Sequence, residues 1–334
     1  MAELSTANAR TGPVLRMHAY LRRMSKPEPL PQALLKAGFT VAEAKARGVS
    51  ASRLRASDLH APYVGVRTIG VPSSLEEQAY ALSLCLDERH AISGLTALRL
   101  WGMPLPSRLR ERETPLEVLT DLSGSRVDRS GVTTRRIRRS RFRAVTLHGI
   151  RLVSPVLAMI TAIRHLDVEW TTVLLEALLA ESSLYPSLRF AERPHLVPFQ
   201  LDGLLQHFSG MDGMTKLRAA AEQSRTRVES PMESVLRLRL IGAGLPEPAI
   251  QPELVLPGGE RVRPDLGYRH AAAYLDYEGE HHARDPEIFE RDLRRSRAMR
   301  EAGLEHIRVT RSDLHRQHFP RLVANLRSLI FRRM

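Results

Sequence analysis

Residues 271–285 read AAAYLDYEGEHHARD, and at their centre Asp276, Glu278, Glu280 and His282 alternate with other residues. Side chains of a β-strand point to opposite faces with period two, so a strand through this stretch sets all four on one face. Three like charges in a row repel, and folding alone does not ask for them. An added cation does. Eleven residues ahead of Asp276, the segment RPDLGY carries Asp265. Two antiparallel strands joined by a short turn bring Asp265 beside Asp276 and Glu278. Carboxylate oxygens converging at one point suit Mg²⁺ or Mn²⁺. Such an ion activates water and stabilises charge on a phosphate during hydrolysis.

The flanking sequence supplies the frame. SPMESVLRLRLIGAGLP reads as a helix with Pro231 in its first turn and Gly244 past its end. AIQPELVLPGGERVRPDLGYRHAAAYLDYEG predicts three strands joined by PGGE and YRHA turns. DPEIFERDLRRSRAMREAGL predicts a helix capped by Asp285, opened by Pro286 and stopped by Gly303. EHIRVT reads as a strand and SDLHRQHFPRLVANLRSLIFRR as a closing helix, giving the order α-β-β-β-α-β-α.

This order and spacing resemble the PD-(D/E)XK nuclease superfamily, with the restriction-endonuclease-like fold. Pro264-Asp265 supplies the PD, and Asp276-Tyr277-Glu278 stands at the (D/E)XK position. Residues 230–332 are similar, more closely, to the very-short-patch-repair-like endonuclease domains of bacteria. The pattern of that family falls on Glu233, Asp265, Asp276-Tyr277-Glu278-Gly279 with His282, Asp292 with Arg295, and Arg308. The resemblance implies a Mg²⁺- or Mn²⁺-dependent endodeoxyribonuclease, with Asp265, Asp276 and Glu278 holding metal and Glu233 and His282 completing the catalytic set. It places Arg295 and Arg308 at DNA. Two departures stand out: the acids are exchanged relative to the commoner E-x-D, and no lysine follows them. In place of the missing lysine, either His282 acts as general base or Glu278 binds a second metal or orients the water.

Toward the N-terminus, FTVAEAKARGVSASRLRASDL contains Thr40-x-x-Glu43, a capping-box pattern, then Gly48 and a second segment that Ser50 can cap, carrying Arg53 and Arg55. Two helices meeting across a glycine turn fit a helix-turn-helix, and an ordinary helical hairpin equally. YVGVRTIG follows as a β-prone wing. Ser74-x-x-Glu77 opens another helix, residues 115–155 look β-rich, and 155–183 read as an amphipathic helical region. Arginines 135, 136, 138, 139, 141 and 143 form the densest basic run, either a solvated strand pair or a phosphate-contacting surface. GFTVAEAKARGVSASRLR, AISGLTALRLWGMPLP and GIRLVSPVLAMITAI resemble the AbiEi-type antitoxin family of transcription regulators, over roughly residues 35–180. That likeness implies a winged helix binding DNA through residues 40–67, with Arg53, Arg55 and Arg67 as contacts.

Composition sets the outer bounds. A net charge of +13 points to a polyanionic partner, DNA first. Only four of the fifty basic residues are lysine, so codon bias is a second source of the arginine excess. Cys85 is the single cysteine, which excludes an intramolecular disulfide and a thiolate metal cage. The N-terminus lacks an apolar signal region, and LVSPVLAMITAI is too short and polar to span a bilayer, so a cytoplasmic protein without membrane contact is expected. The fold class expected is α/β (α+β). It comprises a winged-helix region (1–70), an AbiEi-like α/β region (71–185), a linker and helix (186–229) and the nuclease-like domain (230–334). Three functions fit: a metal-dependent DNA endonuclease, a DNA-binding repressor or antitoxin-like protein whose nuclease-like domain does not cut, and a protein-interaction module.

Overall fold

Serine and threonine caps mark where helices begin. The Ser74 hydroxyl accepts from the Glu77 amide while the Glu77 carboxylate takes the Ser74 amide, a complete capping box that opens a helix over Leu75–Ser83. At Thr40 only the first half forms: its hydroxyl accepts from the Glu43 amide. The computed structural model describes residues 27–35, 37–111, 114–181, 189, 195–279 and 286–332, with the side chains of 286–292 outside that description. The chain is a mixture of helices and sheets and divides into two compact units, residues 1–87 and 88–334. Among the described residues no helix is long and apolar enough to cross a membrane.

In the first unit, β1 (Phe39–Thr40), β3 (Val66–Ile69) and β2 (Leu59–His60) form an antiparallel sheet in the order β1-β3-β2. Helix α1 (Val41–Ala46) follows β1, and α2 is the Leu75–Ser83 helix. Gly48 makes the expected turn with φ of +80°, a conformation that suits a residue without Cβ. The second helix expected after Ser50 is a single 3₁₀ turn, Arg53–Arg55. Leu54 is the only apolar side chain in that turn and it is buried, so no stripe exists to hold a longer helix against the core of Leu34, Phe39 and Ala44. Arg53, expected at the surface as a DNA contact, is instead buried. It is 7% exposed, forks onto both oxygens of Asp58 at 2.8 and 2.7 Å, and donates to the Glu28 carbonyl. Arg67 donates to the Leu54 and Val66 carbonyls, and Arg55 faces solvent.

Among the described residues the second unit carries two larger sheets and one two-stranded sheet. The first has the order β6-β5-β4-β8-β7: β4 (His90–Ile92), β5 (Leu116–Asp121), β6 (Val132–Ile137), β7 (Ala144–Leu147) and β8 (Ile150–Val153). Helices α3 (Gly94–Leu100) and α4 (Ser107–Arg110) lie between β4 and β5, and α5 (Pro155–Ala162) and α6 (Val168–Leu179) follow β8. The amphipathic character expected of 155–183 is absent from α6. Every residue of α6 from Thr171 to Leu179 is buried, because the helix packs on both sides. Next come α7 (Leu201–His207), α8 (Met214–Gln223) and α9 (Pro231–Gly242).

The second sheet has the order β14-β13-β12-β9, from β9 (Ala249–Ile250), β12 (Leu266–Tyr268), β13 (Ala273–Glu278) and β14 (Glu305–Thr310). Helix α10 (Pro286–Glu301) carries the parallel crossover from β13 to β14, and α11 (Phe319–Arg332) closes the chain. Two of the three expected strands are each broken in two. Gln251, at φ of +45°, and Pro252 separate β9 from β10 (Leu254–Val255); Arg263-Pro264 separates β11 (Arg261–Val262) from β12. Proline has no amide for a ladder, so β10 and β11 pair only with each other across the PGGE turn.

Helix α6 forms a joint with α5, α8 and α9. Val173 belongs to the core formed by α9, β12, β13, β14 and α11, with Trp170 packed against it. Within the joint, Arg237 of α9 and Glu176 of α6 are both fully buried and meet at 2.5 Å. Arg237 also reaches Glu247 at 3.0 Å and the Gln223 carbonyl at 2.8 Å, and Glu176 accepts from the Arg225 amide. A buried pair is strongly destabilised when one partner is removed, because the other charge is left unpaired. Arg237→Ala is therefore expected to lower unfolding stability by about 3–5 kcal/mol in urea titration. Arg237→Met combined with Glu176→Leu should lose much less. Equal losses in the single and double variants would show that the pair does not hold this joint.

Candidate active site

The register Leu266↔Leu275, continued by one residue, sets Asp265 directly opposite Asp276. Cross-strand neighbours share a face, so the two carboxyls lie on the same side of the sheet, with Glu278 one pleat further along β13. The two aspartates are laced to each other's backbone. The Asp265 amide donates to Asp276 Oδ1 at 2.9 Å, and the Tyr277 amide donates to Asp265 Oδ2 at 2.7 Å. Gly267 permits this approach: a Cβ there would lie 2.6 Å from the Tyr274 ring opposite it.

Glu233 arrives from α9. Ser230 caps that helix, accepting from the Glu233 amide at 3.3 Å, and Glu233 turns back to accept from the Glu229 amide at 3.2 Å. It is buried and close enough for its charge to act on Asp265. Gln251, also buried, hydrogen-bonds Glu233 and accepts from Arg263. The positive-φ break after β9 places this glutamine at the site, and the sequence reading did not identify it.

Asp276 is held by a histidine and an arginine. His306 Nε2 meets its Oδ2 at 2.7 Å, and Arg295 Nη2 reaches Oδ2 at 2.9 Å and Oδ1 at 3.2 Å. Arg308 pairs with Glu278. Parallel register explains both: Asp276 pairs with Arg308 and Tyr274 with His306, so His306 and Arg308 share one face of β14. Arg295, expected at DNA, is turned onto the sheet from α10. His306 was missed as a site residue, although it stands two residues before Arg308 and strand periodicity gives it the same face. Its Nδ1 and the Nε of Arg295 are buried with no hydrogen-bond partner.

The carboxyls differ in proton affinity. Burial pushes Asp265 up to about 8, and the charges of Glu233 and Asp276 push the same way, against the Tyr277 amide and Arg295. Burial also pushes Glu233 up. Burial acts on Asp276 likewise, but the hydrogen bond from His306, the charges of Arg295 and His306, and the Asp265 amide outweigh it and hold this carboxyl below its ordinary range. Adjacent acids with proton affinities driven apart are a recurring feature of acid–base sites.

Each carboxylate is aimed at its own partner. Accordingly, among the described residues no group of three or more His, Cys, Asp and Glu side chains is gathered closely enough to hold a metal ion. The oxygens of Asp265, Asp276, Glu233 and Glu278 still suit a hard divalent cation chemically. Glu280 and His282 lie outside the described residues, as does the side chain of Asp292. Arg53, Arg55 and Arg67 belong to the other unit. Comparison with family models, with curated proteins and with solved structures finds no match to this chain.

The raised Asp265 has a consequence for stability. An unfolded aspartate titrates near 3.9, so between about pH 4 and pH 8 the folded chain holds a proton that the unfolded chain releases. The stability this provides is full below pH 4 and lost as pH rises to about 8. Asp265→Asn carries no such proton, and its side-chain oxygen can still accept the Tyr277 amide. The difference in melting temperature, variant minus wild type, is expected to grow from pH 5 to pH 8. A difference that stays constant across that range would exclude a raised Asp265.

Proposed function

We propose that this protein is a metal-dependent DNA endonuclease that hydrolyses phosphodiester bonds, with an N-terminal region that targets DNA. The observation that carries the reading is the pairing of Asp265 and Asp276 across adjacent strands, with Glu233 beside them and Glu278 on the same face. Such a concentration of buried acid destabilises a fold unless a cation balances it. The donor chemistry suits Mg²⁺ or Mn²⁺, which Asp265, Asp276 and Glu278 would hold once their carboxylates turn from their present partners to a common point. Bound there, the ion would supply a Lewis acid for a phosphate oxygen and a water of lowered pKa.

The chain's own groups do the rest. Asp265 carries a proton in the metal-free state and gives it up on joining Asp276 as an oxygen donor. Arg295 and Arg308 neutralise Asp276 and Glu278 in the metal-free arrangement, and in the proposed reaction they meet phosphate oxygens. Guanidinium forks match phosphate geometry, so both arginines can change partner without loss of hydrogen bonds. His282 follows the acidic strand and serves as general base; otherwise Glu278 orients the water. In the N-terminal region, Arg55 is the exposed candidate for DNA contact, whereas Arg53 and Arg67 are engaged locally.

One observation favours a second reading, a DNA-binding repressor or antitoxin-like protein that does not cut. Asp276 and Glu278 already have cationic partners, an arrangement that persists without metal. Plasmid cleavage with Mg²⁺ and with Mn²⁺ separates the two. The nuclease reading expects wild type to cut and Asp265→Ala to lose cutting with DNA affinity unchanged or slightly raised, since a carboxylate repels phosphate. His282→Ala should slow cutting by about 10²–10⁴-fold if it is the base. Wild-type protein that binds DNA yet never cuts with either metal favours the repressor. Equal cutting by wild type and Asp265→Ala identifies a contaminating nuclease.

A further inference from the structure

The densest basic run has no part in the site just described. Between residues 126 and 143 stand eight arginines and one acid, Asp128. The run spans β6, an edge strand of the first sheet, and the connection that takes the chain to β7 at the opposite edge. Strand alternation divides the arginines of β6. Arg135 turns toward α5, donating to the Thr161 carbonyl, and Ile137 is buried beside it. Arg136 is left on the exposed side, and Arg138, Arg139 and Arg143 beyond it are exposed too.

What holds these side chains is informative. Arg136 donates to the Gly124 carbonyl at 2.9 Å, Arg141 to the Ser209 carbonyl at 2.9 Å and Arg143 to the Phe142 carbonyl at 2.9 Å. A carbonyl fixes a guanidinium in place without cancelling its charge. Of the six arginines from 135 to 143, Arg139 meets Asp121 at 2.9 Å and Arg135 meets the exposed Asp212 at 3.5 Å, and no other carboxylate among the described residues lies within ion-pair reach of the remaining four. The result is a row of forked donors, several fixed in place and most without a compensating acid, costly in self-repulsion unless anionic oxygens come to it.

We propose that this edge is a sequence-independent docking surface for the phosphate backbone of double-stranded DNA. Single strands are bound on aromatic platforms where bases stack, and the one aromatic of the run, Phe142, is buried. Charge without stacking is the pattern of backbone contact. The choice of DNA rests on the function proposed above; the row of donors does not. In that protein the surface adds affinity at a second place on the second unit, so that a duplex is retained whatever its sequence.

The test is binding of the full-length protein to fluorescent duplexes of about 30 base pairs and two unrelated sequences, in EDTA so that no cutting intervenes, over a range of salt. The triple variant Arg138→Gln, Arg141→Gln, Arg143→Gln is compared with Arg261→Gln, Arg321→Gln, Arg332→Gln. The second set removes equal charge from exposed arginines elsewhere on the same unit. Every phosphate that an arginine ceases to neutralise lowers the slope of log K against log salt by about 0.9. The first triple should therefore lose about two to three in slope on both duplexes, and the control far less. The triple Arg→Lys version, which keeps charge, should recover most of the slope and guards against misfolding. Equal slopes for patch and control variants would overturn the proposal while leaving the nuclease reading intact. Wild-type failure on any DNA duplex would sink both. Binding of duplex RNA in preference to DNA would overturn the choice of ligand.

Discussion

Asp276 is the constraint on which the second sheet's surface turns. It lies on β13 between an antiparallel neighbour, β12, and a parallel one, β14, so a charge there faces both. A carboxylate so far buried needs donors on every side. It receives the Asp265 amide, His306 and Arg295, one from each adjoining strand and one from the crossover helix. The order of the sheet and the length of α10 are what let a single side chain collect all three.

That satisfaction has a cost at Asp265. At Asp265 burial and the charges of Glu233 and Asp276 outweigh the Tyr277 amide and Arg295, whereas at Asp276 the hydrogen bond from His306 and the charge of Arg295 outweigh burial. Proton affinity is driven down at one aspartate and up at the other, although they sit face to face. In the proposed nuclease, a divalent cation bound here would ease the repulsion between the two carboxyls and favour loss of the Asp265 proton. Helix α9, which carries Glu233, is tied to α6 one turn further along by the buried Arg237–Glu176 pair.

Much of the C-terminal fold was legible in the sequence because its signals are local. The Pro231 start, the Gly244 and Gly303 stops and the alternation of Asp276 and Glu278 each depend on a few adjacent residues, and the Asp265–Asp276 pairing needs only one short turn. What was not legible depends on distant partners. His306 becomes a site residue only once β14 pairs in parallel with β13, and the Arg237–Glu176 bridge joins residues 61 apart. The second helix of the N-terminal region failed for the opposite reason. Arg53 was read as a surface cation from its type, and its burial on Asp58 depends on a chain reversal that composition does not reveal. Strand breaks at Gln251-Pro252 and Pro264 were readable from proline alone, and the longer strands expected there ignored it.

The most direct test of the account is a crystal soaked in Mn²⁺ and measured at a wavelength where manganese scatters anomalously. The account predicts a single strong peak in contact with carboxylate oxygens of Asp265 and Asp276, with Arg295 moved off Asp276 to make room. An occupied site elsewhere, or none at saturating Mn²⁺ with the Arg295–Asp276 and His306–Asp276 contacts unchanged, would contradict it: the acidic face would then be balanced by its own arginines and histidine rather than built for a metal.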